Sequence, residues 1–348
     1  MPKGYRPYLP DQDLLLPPSL QEWLAEDHLV YFVSDVVDQL DLSAVHAVYG
    51  EEKRGQPPYD PRLMIKLLVY GYCTHVWECP CHIGDSFIAD AKAVSGDGYK
   101  DIHVDLDRHW EAMQPVDRAV VLGFRARHAG VLVPNEYVAE YVSRHPEKLI
   151  GFCSVDPQDP DAVEQLDHAV QTLQLQGLKM GPIYQNVAPA DSRFRRILKR
   201  AEEHRIPLLI HQGTTFCSDV SLEIANPIQL QPFAIEFPRL VMVIAHLGHP
   251  WINETLVLIR KHRNLYADIS ALYYRPWQFY NALVAAMEYG VLHRLLLGSD
   301  YPFTTPQQTI DALRAVNRMT ENTNLPRIPE AAIEAMIQRD TLSLLGIG

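Results

Sequence analysis

Cysteine is scarce in this chain: there are five among 348 residues, at positions 73, 79, 81, 153 and 217. So few, odd in number and irregular in spacing, they exclude a disulfide-stapled scaffold and suit a reducing compartment. Basic charge is also short. Lys plus Arg is 31 against 43 for Asp plus Glu, a net charge of −12. That excludes the basic face that a nucleic-acid backbone or an anionic bilayer surface requires. No apolar run approaches the roughly 18 residues of a membrane span, and no secretory leader is recognisable; the expected location is the cytoplasm. The phosphate-cradling patterns G-x-G-x-x-G and G-x-x-x-x-G-K-[ST] are missing, as are the G-x-S-x-G elbow and H-E-x-x-H. Ser299 therefore has no nucleophile turn around it.

What is present is an ordinary globular composition, 47% hydrophobic and 21% charged. Short apolar runs recur at 118–124, 149–155, 177–180, 206–211, 240–246, 265–269 and 295–298. Between them lie segments of helical periodicity, at 135–145, 161–173, 192–204, 224–237, 252–262 and 280–292. Strand–helix alternation with a period near 30 residues predicts βαβ units on a parallel sheet. The expected fold class is α/β, a (β/α)8 TIM barrel over 78–348, preceded by a small helical N-terminal appendage over 1–77. The eighth strand needed for closure is expected first in the chain, near 78–83. A doubly wound open sheet is the rival, disfavoured by the missing Gly-rich turn. Residues 1–77 break the rhythm, holding eight of the 26 prolines, with expected helices at 27–40 and 61–72 and a polar loop at 50–61.

In a parallel barrel the working residues sit at the carboxyl ends of strands. His211 ends PLLIH, His246 ends VMVIAH, Asp300 follows LLLGS, Lys179 ends GLK and His82 ends the weak first strand. Three imidazoles and a carboxylate aimed at one mouth describe a divalent-metal site of the N/O type. His249, on the loop just beyond His246, is placed to touch substrate. The remaining histidines, His75 and His109 among them, fall in expected helices or connections and read as surface or capping residues. Cys79-Pro80-Cys81-His82 lacks the second cysteine pair of a structural zinc site, so its thiols read as incidental.

The stretches GLKMGPIYQ, PLLIHQG, VMVIAHLGHPW, NLYADIS and LLLGSDYPF, in this order, resemble the amidohydrolase-related metal-dependent hydrolases and nonoxidative decarboxylases. The resemblance implies that His211 and Asp300 bind a metal and that His246 is a catalytic or ligand histidine. It also implies a first-strand H-x-H or E-x-H. The matching stretch, Pro80-Cys81-His82-Ile83-Gly84, keeps the second position as His82 and has proline at the first. The first 77 residues instead resemble the N-terminal helical domain of DDE-type insertion-sequence transposases, without the catalytic domain that would follow. A fusion accounts for both, with its junction near 74–80.

Together these readings predict an enzyme with one divalent ion, expected to be zinc, held by His82, His211 and Asp300. Asp300 and His246 are the expected catalytic groups, and Lys179 and His249 the expected substrate contacts. The reaction is hydrolysis of an amide, ester or lactone of a small carboxylated molecule. The rivals are nonoxidative decarboxylation and an inactive, metal-poor fusion relic. Small-molecule substrates are the expected partners, not nucleic acid or membrane, and a homodimer is compatible with everything above.

Overall fold

The structure is a computed structural model, and it describes residues 70–77, 81–95 and 102–347. The expected helices at 27–40 and most of 61–72, the polar loop at 50–61 and residues 1–69 of the expected 1–77 appendage lie outside the described residues.

The first strand, β1 (Tyr70–His75), is followed by β2 (Arg118–Leu122) and a hairpin of β3 (Arg125–Ala126) and β4 (Val131–Leu132). Then come β5 (Leu149–Ser154), β6 (Gly177–Met180), β7 (Leu208–Ile210), β8 (Met242–Ile244), β9 (Leu265–Asp268) and β10 (Leu295–Leu296). Eight of these form one parallel sheet in the order β1-β2-β5-β6-β7-β8-β9-β10. Its two edges meet through a parallel bridge between Thr74 and Tyr301, where the His75 amide donates to the Tyr301 carbonyl at 2.9 Å. The expected (β/α)8 TIM barrel is the observed architecture.

Helices cover the outside, and the sequence explains them locally. The segment Ser192–His204 starts where the Asp191 side chain accepts from the Arg193 amide at 2.8 Å. It buries Phe194, Ile197, Leu198 and Ala201, the i, i+3, i+4, i+7 stripe of a helix lying on a sheet. Burying Phe194, Ile197 and Leu198 contributes about 1.5–3 kcal/mol each. It ends at Arg205, which takes a left-handed conformation at φ 58°. The strands are buried on both faces, as a helix-covered parallel sheet requires. At the β5–β6 contact Phe152 lies opposite Gly177, and a Cβ there would meet the phenyl ring at 2.4 Å. Phe152 joins Val120, Leu122, Ile150, Leu209, Val243 and Leu296 in the interior cluster, into which Leu342 and Leu345 of the C-terminal helix Thr341–Leu345 also pack.

One strand is not where the sequence suggested. The first barrel strand is Tyr70–His75, inside the region expected to be appendage, and not 78–83. It pairs with β2 from Tyr70↔Arg118 to His75↔Leu122. Residues 81 and 82 form a turn, and Ile83 bridges Val131 of the hairpin. The chain has by then left the barrel wall.

Candidate active site

The barrel's parallel wall aims the carboxyl ends of its strands at one cavity of about 520 Å³. His75 ends β1, Lys179 is the third residue of β6, His211 directly follows β7, and His246 and Asp300 follow β8 and β10. All five line the cavity, together with His249 on the loop beyond β8. His82 does not. It lies half-buried beside the hairpin, with its carbonyl accepting from the Leu132 amide at 2.9 Å and its ring edge-on to Tyr137. The expectation of His82 as a ligand is therefore corrected, because residues 81 and 82, where that strand was to end, form a turn away from the cavity.

His75 takes the place at the end of the first strand. Its place in the sequence suggests a surface or capping residue, but it is 4% exposed and stacks on Trp77 at 4.4 Å. A terminal histidine after the run Val-Tyr-Gly-Tyr-Cys-Thr was the available signal. It was masked by the resemblance of that run to a helical transposase segment. Pro80 and Cys79 lie outside the described residues, and Cys81 is an exposed free thiol.

Backbone conformation delivers two of the groups. His246, the next residue Leu247, and Asp300 all sit at positive φ, 57°, 51° and 57°. Left-handed conformations of non-glycine residues cost about 1–3 kcal/mol each and persist where surrounding structure imposes them. Here they occur where His246 and Asp300 line the cavity.

The electrostatics follow from burial. Burial pushes the Asp300 carboxyl up to about 6, against the opposing pull of the Lys179 ammonium. The His75 and His211 imidazoles are held well below the usual range by burial, with Lys179 and neighbouring histidines adding to it. Burial takes His246 down to about 4, opposed by Asp268. All three imidazoles are therefore neutral near pH 7 and carry lone pairs. The Lys179 side chain is 2% exposed, its Nζ 5.7 Å from the Phe124 ring. Sequence reasoning missed Arg275, which lines the rim with its guanidinium stacked on Tyr274 at 4.6 Å. It also missed the aromatic wall, where Phe87 meets Phe216 at 4.8 Å and Tyr184 meets His211 at 4.8 Å. His249 donates from Nε2 to Gln278 Oε1 at 2.8 Å.

These donors suit a divalent ion. No three described His, Cys, Asp or Glu side chains already close on a common point. However, the Nε2 atoms of His75 and His246 each lie 3.9 Å from Asp300 Oδ1, too far for a hydrogen bond. Two ligands of one ion at about 2.1 Å each can be up to about 4.2 Å apart. His75 Nδ1 is buried with no hydrogen-bond partner, so no existing bond has to break for that ring to turn toward an ion.

The family profile headed Amidohydrolase matches residues 87–338, and the chain belongs to that family. A transposase domain (DUF772) profile matches residues 18–78. The two together bear out the expected fusion of an amidohydrolase-like region to a transposase fragment. The transposase match contains the whole of β1, and the amidohydrolase match begins after it. No curated protein sequence matches the chain.

Among solved structures it is similar to a probable 2-pyrone-4,6-dicarboxylic acid hydrolase from Acinetobacter baumannii, with citric acid bound. The identity is 15% and the TM-score 0.58, over 80% of this chain and 100% of that one. It is similar to 5-carboxyvanillate decarboxylase from Sphingomonas paucimobilis at 17% identity and TM-score 0.57, over 81% and 100%. A third is a dihydroxybenzoic acid decarboxylase from Polaromonas with bound manganese, at 16% and 0.55, over 80% and 96%. At these identities the likeness concerns the fold. Family membership supports an enzyme with a divalent metal acting on small molecules.

Proposed function

We propose that the chain hydrolyses an ester, lactone or amide of a small carboxylated substrate at this cavity, with one divalent ion held by His75, His211 and Asp300. The observation that carries the reading is the buried Lys179 ammonium, which forms no hydrogen bond or ion pair among the described residues. A cation in the cavity wall that feels the Asp300 charge but has no hydrogen-bonding anion of its own gains from an anionic substrate group. Arg275 adds a second positive group at the rim. Two fixed cations favour a reaction that retains or creates a carboxylate, as acyl hydrolysis does, over one that removes it.

When bound, the ion supplies Lewis acidity toward the substrate carbonyl and toward water. Zinc suits the His/Asp donor set, and manganese is compatible with it. Lys179 grips the substrate carboxylate, and the aromatic wall excludes water from its carbon skeleton. His246 Nε2 and the free oxygen of Asp300 are the two acceptors able to take the proton of the attacking water.

Decarboxylation is the second reading. It is favoured by the aromatic lining around Phe87, Tyr184 and Phe216, which would desolvate a planar acid, and by the activities in the names of two of the similar proteins. The relic reading rested on a ligand lost from β1, and His75 stands at the end of that strand.

Elemental analysis of the purified full chain, followed by assay against carboxylated lactones and aromatic acids, tests the proposal. About one metal per chain with acid released from lactones is expected. Release of CO2 without lactone cleavage would replace it with the second reading, and a metal-free inert chain would refute both.

A further inference from the structure

We infer that Asp268 and Ser270 act as a positioning pair for His246, holding its imidazole with the proton on Nδ1 and the lone pair on Nε2 toward the cavity. His246 Nδ1 lies 2.7 Å from Ser270 Oγ. The same hydroxyl is hydrogen-bonded to Asp268 Oδ1. A hydroxyl has one proton to give, and a carboxylate oxygen accepts. The Ser270 proton therefore goes to Asp268, and Ser270 Oγ is left to accept from His246 Nδ1–H. The carboxylate cannot turn away, because Oδ1 also accepts from the amides of His246 at 3.1 Å and Ser270 at 3.0 Å. Gly298 leaves room for the pair: a Cβ there would lie 3.0 Å from Ser270 Cβ and 3.2 Å from Asp268 Oδ1.

The chain of bonds runs from the end of β9 to the second residue after β8, so two adjacent strands jointly set one ring. The neighbouring imidazole is set the opposite way. His211 donates from Nε2 to the Thr214 carbonyl at 2.9 Å, so its lone pair is on Nδ1. Two histidines whose rings are 4.9 Å apart thus carry opposite tautomers, each fixed by a different partner. On His246 the consequence is a basic nitrogen 3.9 Å from Asp300 Oδ1, where a proton acceptor or ligand is useful. The tautomer of a catalytic imidazole is set by the bond its other nitrogen makes.

The assignment of tautomer stands on hydrogen bonds alone; only its effect on rate rests on the proposed function. The test is a long-range proton–nitrogen NMR spectrum of the zinc-loaded full chain labelled with 15N-histidine, with His246 identified by the signals missing from His246→Gln. His246 is expected to show a protonated Nδ1 and an unprotonated Nε2. Ser270→Ala should move both nitrogens toward values of a tautomer mixture. Asp268→Asn should leave them unchanged, because its side-chain oxygen still accepts from Ser270. A protonated Nε2 in the unsubstituted protein would overturn the inference, whether or not any variant folds. An unchanged His246 in folded Ser270→Ala would overturn the role of Ser270. With a substrate in hand, Ser270→Ala is expected to lower kcat about 10–100-fold at constant KM, the size of effect seen when partners of site histidines are removed. A shifted tautomer with unchanged kcat would confirm the positioning and remove His246 from the chemistry.

Discussion

At the scale of single residues, the contrast between His75 and His82 is the sharpest. His82 was the histidine expected on the first strand, and only His75 lines the cavity. His75→Ala should lose most bound metal and at least about 10²-fold in turnover, since one of the three proposed ligands is removed. His82→Ala should retain both. Metal content by atomic absorption and steady-state rates on the two variants decide it, and equal losses would contradict the site as drawn. Lys179 gives a second contrast, between stability and function. Lys179→Met fills a similar volume without a buried charge, so its melting temperature should rise by a few degrees, as for other relaxations of strained functional sites. Affinity for a carboxylate such as citrate should fall about 10–100-fold by calorimetric titration. A variant that binds citrate as well as the parent would exclude Lys179 as the carboxylate anchor.

At the scale of elements, β1 is held by a buried polar chain. His109, on the helix Leu106–Ala112, donates from Nε2 to Thr74 Oγ1 at 2.9 Å, and Thr74 Oγ1 donates to the Val120 carbonyl at 2.7 Å. Tyr141 OH lies 2.9 Å from His109 Nδ1. Far from the surface role suggested by its place in the sequence, His109 is fully buried and pins the first strand to the second. Burial lowers its pKa to about 3, against about 6.5 in an unfolded chain. Between those values the unfolded state binds the extra proton. This stabilisation is therefore present above pH 6.5 and is lost as pH falls toward 3. Each unit in that window costs about 1.4 kcal/mol. The other neutral histidines act in the same direction, so the measurement is a difference. Urea unfolding of His109→Gln should lose about 2 kcal/mol less than the parent between pH 7 and pH 5. Identical pH dependences would show that His109 is not the linked group.

At the scale of the whole molecule, the barrel extends into the transposase match. The chain divides between Val69 and Tyr70, while that match runs to residue 78. A chain starting at Tyr70 keeps β1, its pairing with β2 and His75. A chain starting at Glu78 loses an edge of the sheet, the bridge to Tyr301 and a site imidazole at once. The first should fold and bind metal; the second should be insoluble or melt at a much lower temperature. Circular dichroism melts of both settle the point, and a stable, metal-binding chain from Glu78 would mean that β1 is dispensable.

Seven of the eight barrel strands, from 118 onward, were legible in the local pattern, and so were five cavity residues, Lys179, His211, His246, His249 and Asp300. Each of those strands is a short apolar run flanked by helical periodicity, and a buried parallel strand has few other ways to be written. The side chain that ends such a run must emerge at the barrel mouth. β1 came from long-range pairing, because Tyr70–His75 follows a helix-like run and gains its extended form from Arg118–Leu122 and Tyr301. Only the tertiary structure separated His75 and His109 from the surface histidines. It alone joined Asp268, Ser270 and His246, because those contacts span strands and no local pattern encodes which neighbour a buried imidazole will find.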